Sequence, residues 1–542
     1  MIDYQAFPHG TASFADPHMI ARAGLYRAKN GLYLGHDETG RALYSDQQAA
    51  VLLVGGARSG KGDHIIPWLV DGHYGDHIIS MDWKSQNGAI AQLQVLQGRR
   101  VINWNPRGNG GVPSHRINPT SYLRGNSPTL IPDAKLFAAS FLTLTGGANA
   151  KFFEETGQRW IEAVAVTLGR LAGVVTLPVL ADLMNQIGLL SDDWLSFERH
   201  MAAMPEVSIR SVVEELKQAR ESDNPNAGGV SGVKAETKRA FSGLSDPQLR
   251  DAVSAPFDFD FEELTKPGCN PYLVNIMEAQ EYAETSGPVI RSVYSGALVA
   301  KRRAIGARRQ LWLCDEIGNI GAWPMAIGLA TFGAGYGIRP VFVVQSAAQL
   351  AGLGKNAEKI IPNSCGTQIF KGIRDIREAK AVSEALGTQT ITLEDFQTNE
   401  RAKLENEQAL LEVVSGRLDP MEAGFAMAQR DASLAHRIKT PRPLATGDEI
   451  VNRPNGRAFV FMPGVLERPA DLTIENYWKR RDLAGRYLGD PYHSPDGKVE
   501  VGTAFGQRFK PVITEPVPDP FADWPQYRAS GTWSYLKGYR PL

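Results

Sequence analysis

The chain is expected to fold as an α/β protein whose parallel sheet carries a phosphate-binding loop and is interrupted by an all-α domain. Three observations lead there. First, the unbroken apolar run Ala49-Ala50-Val51-Leu52-Leu53-Val54 ends in Gly55-Gly56-Ala57-Arg58-Ser59-Gly60-Lys61-Gly62 and leads into a helix-like stretch. Second, similar short apolar runs recur before and after the middle of the chain, as in strands buried on both faces. Third, the middle itself is nearly free of such runs and reads as helix.

Residues 1–45 form an N-terminal segment with alternating pieces, Gly31-Leu32-Tyr33-Leu34-Gly35 and Ala42-Leu43-Tyr44, that suit a small hairpin. Residues 46–138 and 257–489 make up the discontinuous nucleotide-binding domain. Its strands are expected at residues 49–54, 77–82, 100–104, 272–276, 310–315, 340–345, 368–370 and 458–461. Between the last two lies a polar helical stretch around residues 393–437. Residues 139–256 are the inserted all-α domain, with helical stretches at 152–171 and 209–219 and a break at Asn224-Pro225-Asn226. Residues 490–542, rich in Pro, Gly and aromatics, read as a C-terminal tail or interaction arm.

A chain of 542 residues needs more than one core, and 43% apolar with 22% charged residues is ordinary for a globular protein. The net charge of −1 excludes a generally basic nucleic-acid coat and leaves room for a local basic pore. Cys269, Cys314 and Cys365 are widely spaced and read as reduced, and His64, His73 and His77 lack the partners of a metal site. With neither a leader pattern nor an apolar run of about 18 residues, a cytoplasmic protein is expected.

The loop at 55–62 needs its glycines because backbone N–H groups must turn inward around phosphates. Lys61 would reach the β- and γ-phosphates, and the helix N-terminus adds positive potential. Gly62 stands where a magnesium-binding hydroxyl is usual, and Pro67 sits early in the helix. A second element, Leu311-Trp312-Leu313-Cys314-Asp315-Glu316, ends an apolar strand in two carboxylates. Asp315 suits magnesium held through water, and Glu316 suits activation of the attacking water, so ATP and Mg2+ are the expected cofactors. Gln345, at the end of the next strand, would point into the same crevice and sense the γ-phosphate. Lys301-Arg302-Arg303, Arg308-Arg309 and Lys479-Arg480-Arg481 read as solvated faces; the first two could also face DNA or a neighbouring subunit.

Beyond these motifs the chain resembles the type IV secretion coupling proteins, the TraG-like ATPases of conjugative DNA transfer, over most of residues 9–490. The resemblance rests on His9-Gly10-Thr11-Ala12-Ser13, the loop with Gly62 after the lysine and Pro67 beyond it, Asp82-Trp83-Lys84, and Asn118-Pro119. It rests most specifically on Asp315-Glu316-Ile317-Gly318-Asn319, Tyr336-Gly337-Ile338 and Gln345-Ser346-Ala347-Ala348-Gln349-Leu350. The resemblance implies a RecA-like motor, a homo-hexamer, and relaxase-linked DNA or secreted effector proteins as substrates passed to type IV channel components. Under it Lys61 binds phosphate, Asp315 assists magnesium, Glu316 activates water and Gln345 senses the γ-phosphate. Family members usually carry a membrane anchor before this region; the resemblance leaves open a soluble variant, a form held at the inner membrane by a separate anchor protein, or a chain from which the anchor was removed. Many relatives carry an arginine just before the Tyr-Gly segment, whereas Thr331-Phe332-Gly333-Ala334-Gly335 has none, so Arg339 or Arg374 could substitute for it toward a neighbouring subunit. Two alternatives stay open: a nucleotide-locked substrate-receptor scaffold with little turnover, and an FtsK/HerA-type double-stranded DNA translocase.

Overall fold

The computed structural model describes residues 7–27, 29–144, 147–222, 229–394, 396–434, 437–483, 486–492, 498–503, 505–516 and 531–536. The chain forms two compact units, one comprising Pro17–Gly372, Asn455–Leu466 and Asp471–Leu542, the other Met1–Asp16, Ile373–Pro454 and Glu467–Ala470.

The larger unit is built on an 11-stranded sheet. Its strands are β1 (Leu32–His36), β2 (Ala42–Ser45), β3 (Ala50–Gly55), β4 (His77–Asp82), β5 (Arg100–Trp104), β6 (Tyr272–Met277), β7 (Gln310–Cys314), β8 (Ile338–Val344) and β9 (Cys365–Lys371). Two later strands, called β12 (Arg457–Phe461) and β13 (Ala470–Thr473) because β10 (Thr388–Glu394) and β11 (Arg437–Pro443) precede them, complete it. The order is β2-β1-β13-β12-β9-β3-β8-β7-β4-β6-β5. From β9 to β5 the strands run parallel, and β12 on β9 and β1 on β2 are antiparallel.

Every residue of β3, β4, β6, β7 and β8 is buried, which is why their sequences are unbroken apolar runs and not alternating ones. Each Val, Leu or Ile so buried favours folding by about 1.5–3 kcal/mol. Because the central strands are parallel, their carboxyl ends share one edge. That edge holds Gly55, Asp82, Asp315, Gln345 and Lys371.

Between β5 and β6 the chain is helical, from Leu130–Phe141 through Ala148–Ala172, Leu177–Gln186, Asp192–Ala202, Val207–Glu221 and Val230–Phe241. The first of these helices begins before residue 139, where the sequence reading opened the insertion. The helices are continuous with the sheet: Trp160, Val164 and Leu216 belong to the same buried cluster as Ile79, Ile102 and Trp104.

The smaller unit is organised around β10 and β11, an antiparallel ribbon registered from Thr388↔Pro443 to Glu394↔Arg437. The helices Phe396–Val414 and Pro420–Leu434 lie between the two strands in sequence. At the other end Asp375 caps the helix Ile376–Leu386, and Thr446 with Glu449 forms a capping box on Gly447–Val451. The His-Gly segment joins the ribbon, Thr390 N–H donating to the Gly10 carbonyl at 3.0 Å.

The segment expected to be a tail contains three strands, β14 (Lys498–Thr503), β15 (Gly506–Pro516) and β16 (Thr532–Leu536), paired as an antiparallel meander. Glycine and proline interrupt its short alternating runs, and this hid the strand period. Among the described residues, no helix is long and apolar enough to cross a membrane.

Candidate nucleotide site

β3 delivers the chain to the loop at Gly55, and the helix Gly62–Val70 begins directly after Lys61. The loop is tightly folded. Gly60 has φ +78°, and a Cβ there would lie 2.5 Å from Asp63 Oδ2. A Cβ on Gly55 would lie 2.8 Å from Ser59 Oγ. Arg58 also takes a positive φ, 58°. Gly56 and Ala57 complete the turn, with Ser59 N–H donating to the Gly56 carbonyl at 3.2 Å. Gly62 differs from its neighbours: a Cβ there would meet nothing within 4 Å. The missing hydroxyl is therefore not a consequence of crowding.

The Lys61 ammonium donates to the Gly55 carbonyl at 2.8 Å and to Gly56 at 3.5 Å. Burial lowers its pKa, opposed by the negative charges of Asp315 and Glu316. The loop is braced from behind by Lys371 at the end of β9. Its buried ammonium donates to the Gly60 carbonyl at 2.6 Å and to Asp63 Oδ2 at 3.1 Å.

The two carboxylates after β7 sit in different surroundings. Asp315 is buried; Asn87 Nδ2 donates to its Oδ2 at 3.0 Å, while Oδ1 has no hydrogen-bond partner. Burial first, then the charges of Asp82 and Glu316, push its pKa up to about 7. Glu316, at φ 45°, accepts from the Lys84 ammonium at 2.7 Å and from Gln345 Nε2 at 3.3 Å, both on Oε1. Burial alone would raise the Glu316 pKa, but Lys84 and Lys61 outweigh it and the net shift is downward. One carboxylate is thus held ionised by cations, and its neighbour has a spare buried oxygen that a cation would satisfy.

Lys61, Asp315, Glu316 and Gln345 therefore gather at one edge of the sheet. Sequence reading did not assign site roles to Lys84, Asn87 or Asp82. Asp82 ends β4, is fully buried, and accepts from the backbone N–H of Gly88 at 2.9 Å and of Lys84 at 3.2 Å. The signal was present as a buried strand ending in Asp-Trp-Lys, but the pairing of β4 beside β7 is not readable from order along the chain.

Arg339 cannot serve a neighbouring subunit: it is 1% exposed within β8 and donates to the Ser45 carbonyl at 2.9 Å. Arg374 is exposed. The basic clusters are largely tied to their own fold. Lys301 donates to the Ala307 carbonyl, Arg308 to those of Gly75 and Cys269, and Arg309 pairs with Asp76. Arg480 is buried over the Tyr33 ring and pairs with Asp482. His64 and His77 are core residues, bonded to the Leu34 carbonyl and the Tyr272 N–H.

The residues present fit a magnesium nucleotide: a glycine cradle at a helix N-terminus, a lysine inside it, and an unpartnered carboxylate oxygen nearby. Residues 12–412 match the family model of type IV secretory system conjugative DNA transfer. The chain is 22% identical over 489 residues to protein VirD4 of Rhizobium radiobacter, covering 86% of this chain and 68% of that one. VirD4 of Agrobacterium fabrum is 23% identical over 403 residues, with 70% of this chain and 57% of that one covered. Among solved structures, the conjugative coupling protein TrwBdeltaN70 with sulphate superposes with a TM-score of 0.59 at 14% identity, over 86% of this chain and 96% of that one. TrwB with ADP and Mg2+ gives 0.57 at 16% identity, over the same shares of the two chains. These likenesses support the α/β motor fold with its helical insertion.

Proposed function

Because the chain belongs to the type IV secretory system conjugative DNA transfer family, we propose that it is an ATP-hydrolysing coupling protein. It recruits relaxase-linked DNA or secreted effector proteins and drives them toward a type IV channel at the inner membrane, working as a homo-hexamer. The observation that carries the hydrolytic part is the Glu316 carboxylate, gripped by Lys84 and Gln345 on the same sheet edge as Lys61. Support for the nucleotide comes from TrwB, which has been crystallised with ADP and Mg2+ and with a non-hydrolysable ATP analogue.

Loop N–H groups hold the phosphates, and Lys61 exchanges its two backbone carbonyls for the β- and γ-phosphate oxygens. Asp315, with Asn87 donating to its Oδ2, would hold magnesium on the side of its free Oδ1. Magnesium, when bound, supplies neutralisation of charge on the phosphates during transfer. Glu316 stays ionised beside two lysines and orients the attacking water, and Gln345 links that carboxylate to the γ-phosphate position. Loss of the phosphate then frees Lys61 to return to the loop carbonyls.

A second reading, a nucleotide-locked receptor with little turnover, draws on Gly62, which leaves the magnesium side without its hydroxyl. Steady-state hydrolysis with and without single-stranded DNA separates the two. The motor predicts turnover that rises with DNA and is lost in Lys61→Ala. Equal rates in wild type and Lys61→Ala would overturn it.

A further inference from the structure

The helix Ala283–Arg303 follows β6 and is buried along most of its length. Near its middle stands a charged residue, Arg291, only 6% exposed. Its guanidinium donates to three acceptors, all of them main-chain carbonyls: Nε to Ser140 at 2.7 Å, Nη2 to Phe141 at 3.0 Å and Nη1 to Ile320 at 2.7 Å. Burial and the nearby Arg239 lower its pKa to about 10, so the group stays charged at neutral pH. A buried cation that meets only neutral dipoles is costly, and an apolar side chain of similar length would pack here without that cost. Helix capping explains part of it. Ser140 and Phe141 end the first helix of the insertion, where the last carbonyls lack partners within the helix and a cation suits the dipole. Capping leaves the third contact unexplained, because Ile320 belongs to another segment.

Ile320 ends the short turn Ile317–Ile320, which starts directly after Glu316. Glu316 is held at φ 45°, and the Asn319 N–H closes the turn onto its carbonyl at 3.0 Å. A positive φ on a residue with a side chain is strained and persists only where the surroundings fix it. Arg291 fixes the far end of the turn whose near end aims the Glu316 carboxylate. Gly287, one turn earlier on the same helix, admits this approach: a Cβ there would lie 3.3 Å from both Arg291 Nη1 and the Ile320 oxygen. Residues 141–143 and 318–322 line a common cavity of about 560 Å³, with Arg291 on its wall. The guanidinium bridges these two segments beside that open space.

We propose that Arg291 is a positioning residue for hydrolysis, tying the Glu316 turn to the end of the first insertion helix so that the aim of the carboxylate follows that helix. The proposal rests on the hydrolytic reading above, in which Glu316 orients the attacking water. The helix end is itself held by the rest of the insertion. The Phe141 ring packs on Phe241, which closes the helix Val230–Phe241, with centroids 4.5 Å apart. A shift of these helix ends therefore reaches Glu316 through one side chain.

The test compares Arg291→Met with wild type in the full chain, by single-turnover phosphate release and by titration with a non-hydrolysable ATP analogue. Release is expected to slow by about 10²-fold, the cost of misplacing a reacting group by roughly 1 Å. Analogue affinity should stay within about twofold of wild type, since Lys61 and its loop are untouched. Arg291→Lys keeps the buried charge but replaces the planar fork by a single ammonium, and is expected to be slowed to a lesser degree. The sharpest comparison is made in a Glu316→Gln background. There Arg291→Met should cost nothing further, because its effect passes through Glu316. The same proportional loss in both backgrounds, or an equal loss of analogue affinity, marks a merely structural role and overturns the proposal. So does wild-type release in both Arg291 variants. Failure of the hydrolytic reading looks different: wild type and Lys61→Ala then release phosphate at one rate, whatever residue stands at 291.

Discussion

Lys61, with its ammonium on Gly55 and Gly56, is in the position of a side chain that waits for phosphate. Glu316 needs Lys84 to stay ionised in a crowded acidic corner, so Lys84→Met should raise the Glu316 pKa. The acidic limb of its pH–rate profile should therefore move upward, measured by steady-state turnover between about pH 4 and pH 8. Two residues outside the site set a pH dependence of stability. Burial, aided by Lys371 for one and Arg308 for the other, holds His64 and His77 at a pKa of about 3, against 6.5 when unfolded. Below 6.5 the unfolded chain binds protons that the folded chain refuses. Stability from this source is complete above pH 6.5 and falls as pH drops toward 3, by up to about 1.4 kcal/mol per pH unit for each histidine. His77→Gln, which keeps an acceptor for the Tyr272 N–H, should lose less stability than wild type between pH 7 and pH 5 in denaturant melts.

At the scale of elements, the phosphate loop contains two kinds of glycine. Gly60 is required by its positive φ and by the proximity of Asp63, whereas Gly62 faces open space. Gly60→Ala should weaken nucleotide binding by roughly tenfold or more, while Gly62→Ala should change it by less than about twofold, read by titration calorimetry. Gly62→Ser should fold as wild type and reach half-maximal turnover at a lower magnesium concentration. The same elements show what was legible in the sequence. Buried parallel strands announce themselves as apolar runs, so β3, β4, β5, β6, β7 and β8 were all found, and the loop and the β7 carboxylates with them; β9 and the antiparallel β12 were found from shorter apolar runs. Strand order was not legible, because parallel neighbours such as β4 and β7 are joined through distant crossovers. That is why Lys84 and Asn87 went unassigned. The ribbon of β10 and β11 was missed because its strands, Thr-Gln-Thr-Ile-Thr-Leu-Glu and Arg-Ile-Lys-Thr-Pro-Arg-Pro, lack the apolar density of a buried strand.

At the scale of the molecule, the sheet and the helical insertion share one core, and no residue of 373–454 belongs to that cluster among the described residues. The largest piece of the smaller unit, Ile373–Pro454, lies in sequence between β9 and β12. Replacing residues 395–436 by an Asn-Gly turn joins Glu394 to Arg437, which face each other in the ribbon. Basal ATP turnover of that variant should stay within about twofold of wild type, since every assigned site residue is retained. The central claim is that the loop and the β7 carboxylates act as one hydrolytic centre. Single-turnover phosphate release by Glu316→Gln, beside its ATP affinity, tests this most directly. The centre predicts near wild-type affinity with release slowed by about 10²–10⁴, the range for loss of a general base. Release at the wild-type rate would contradict it.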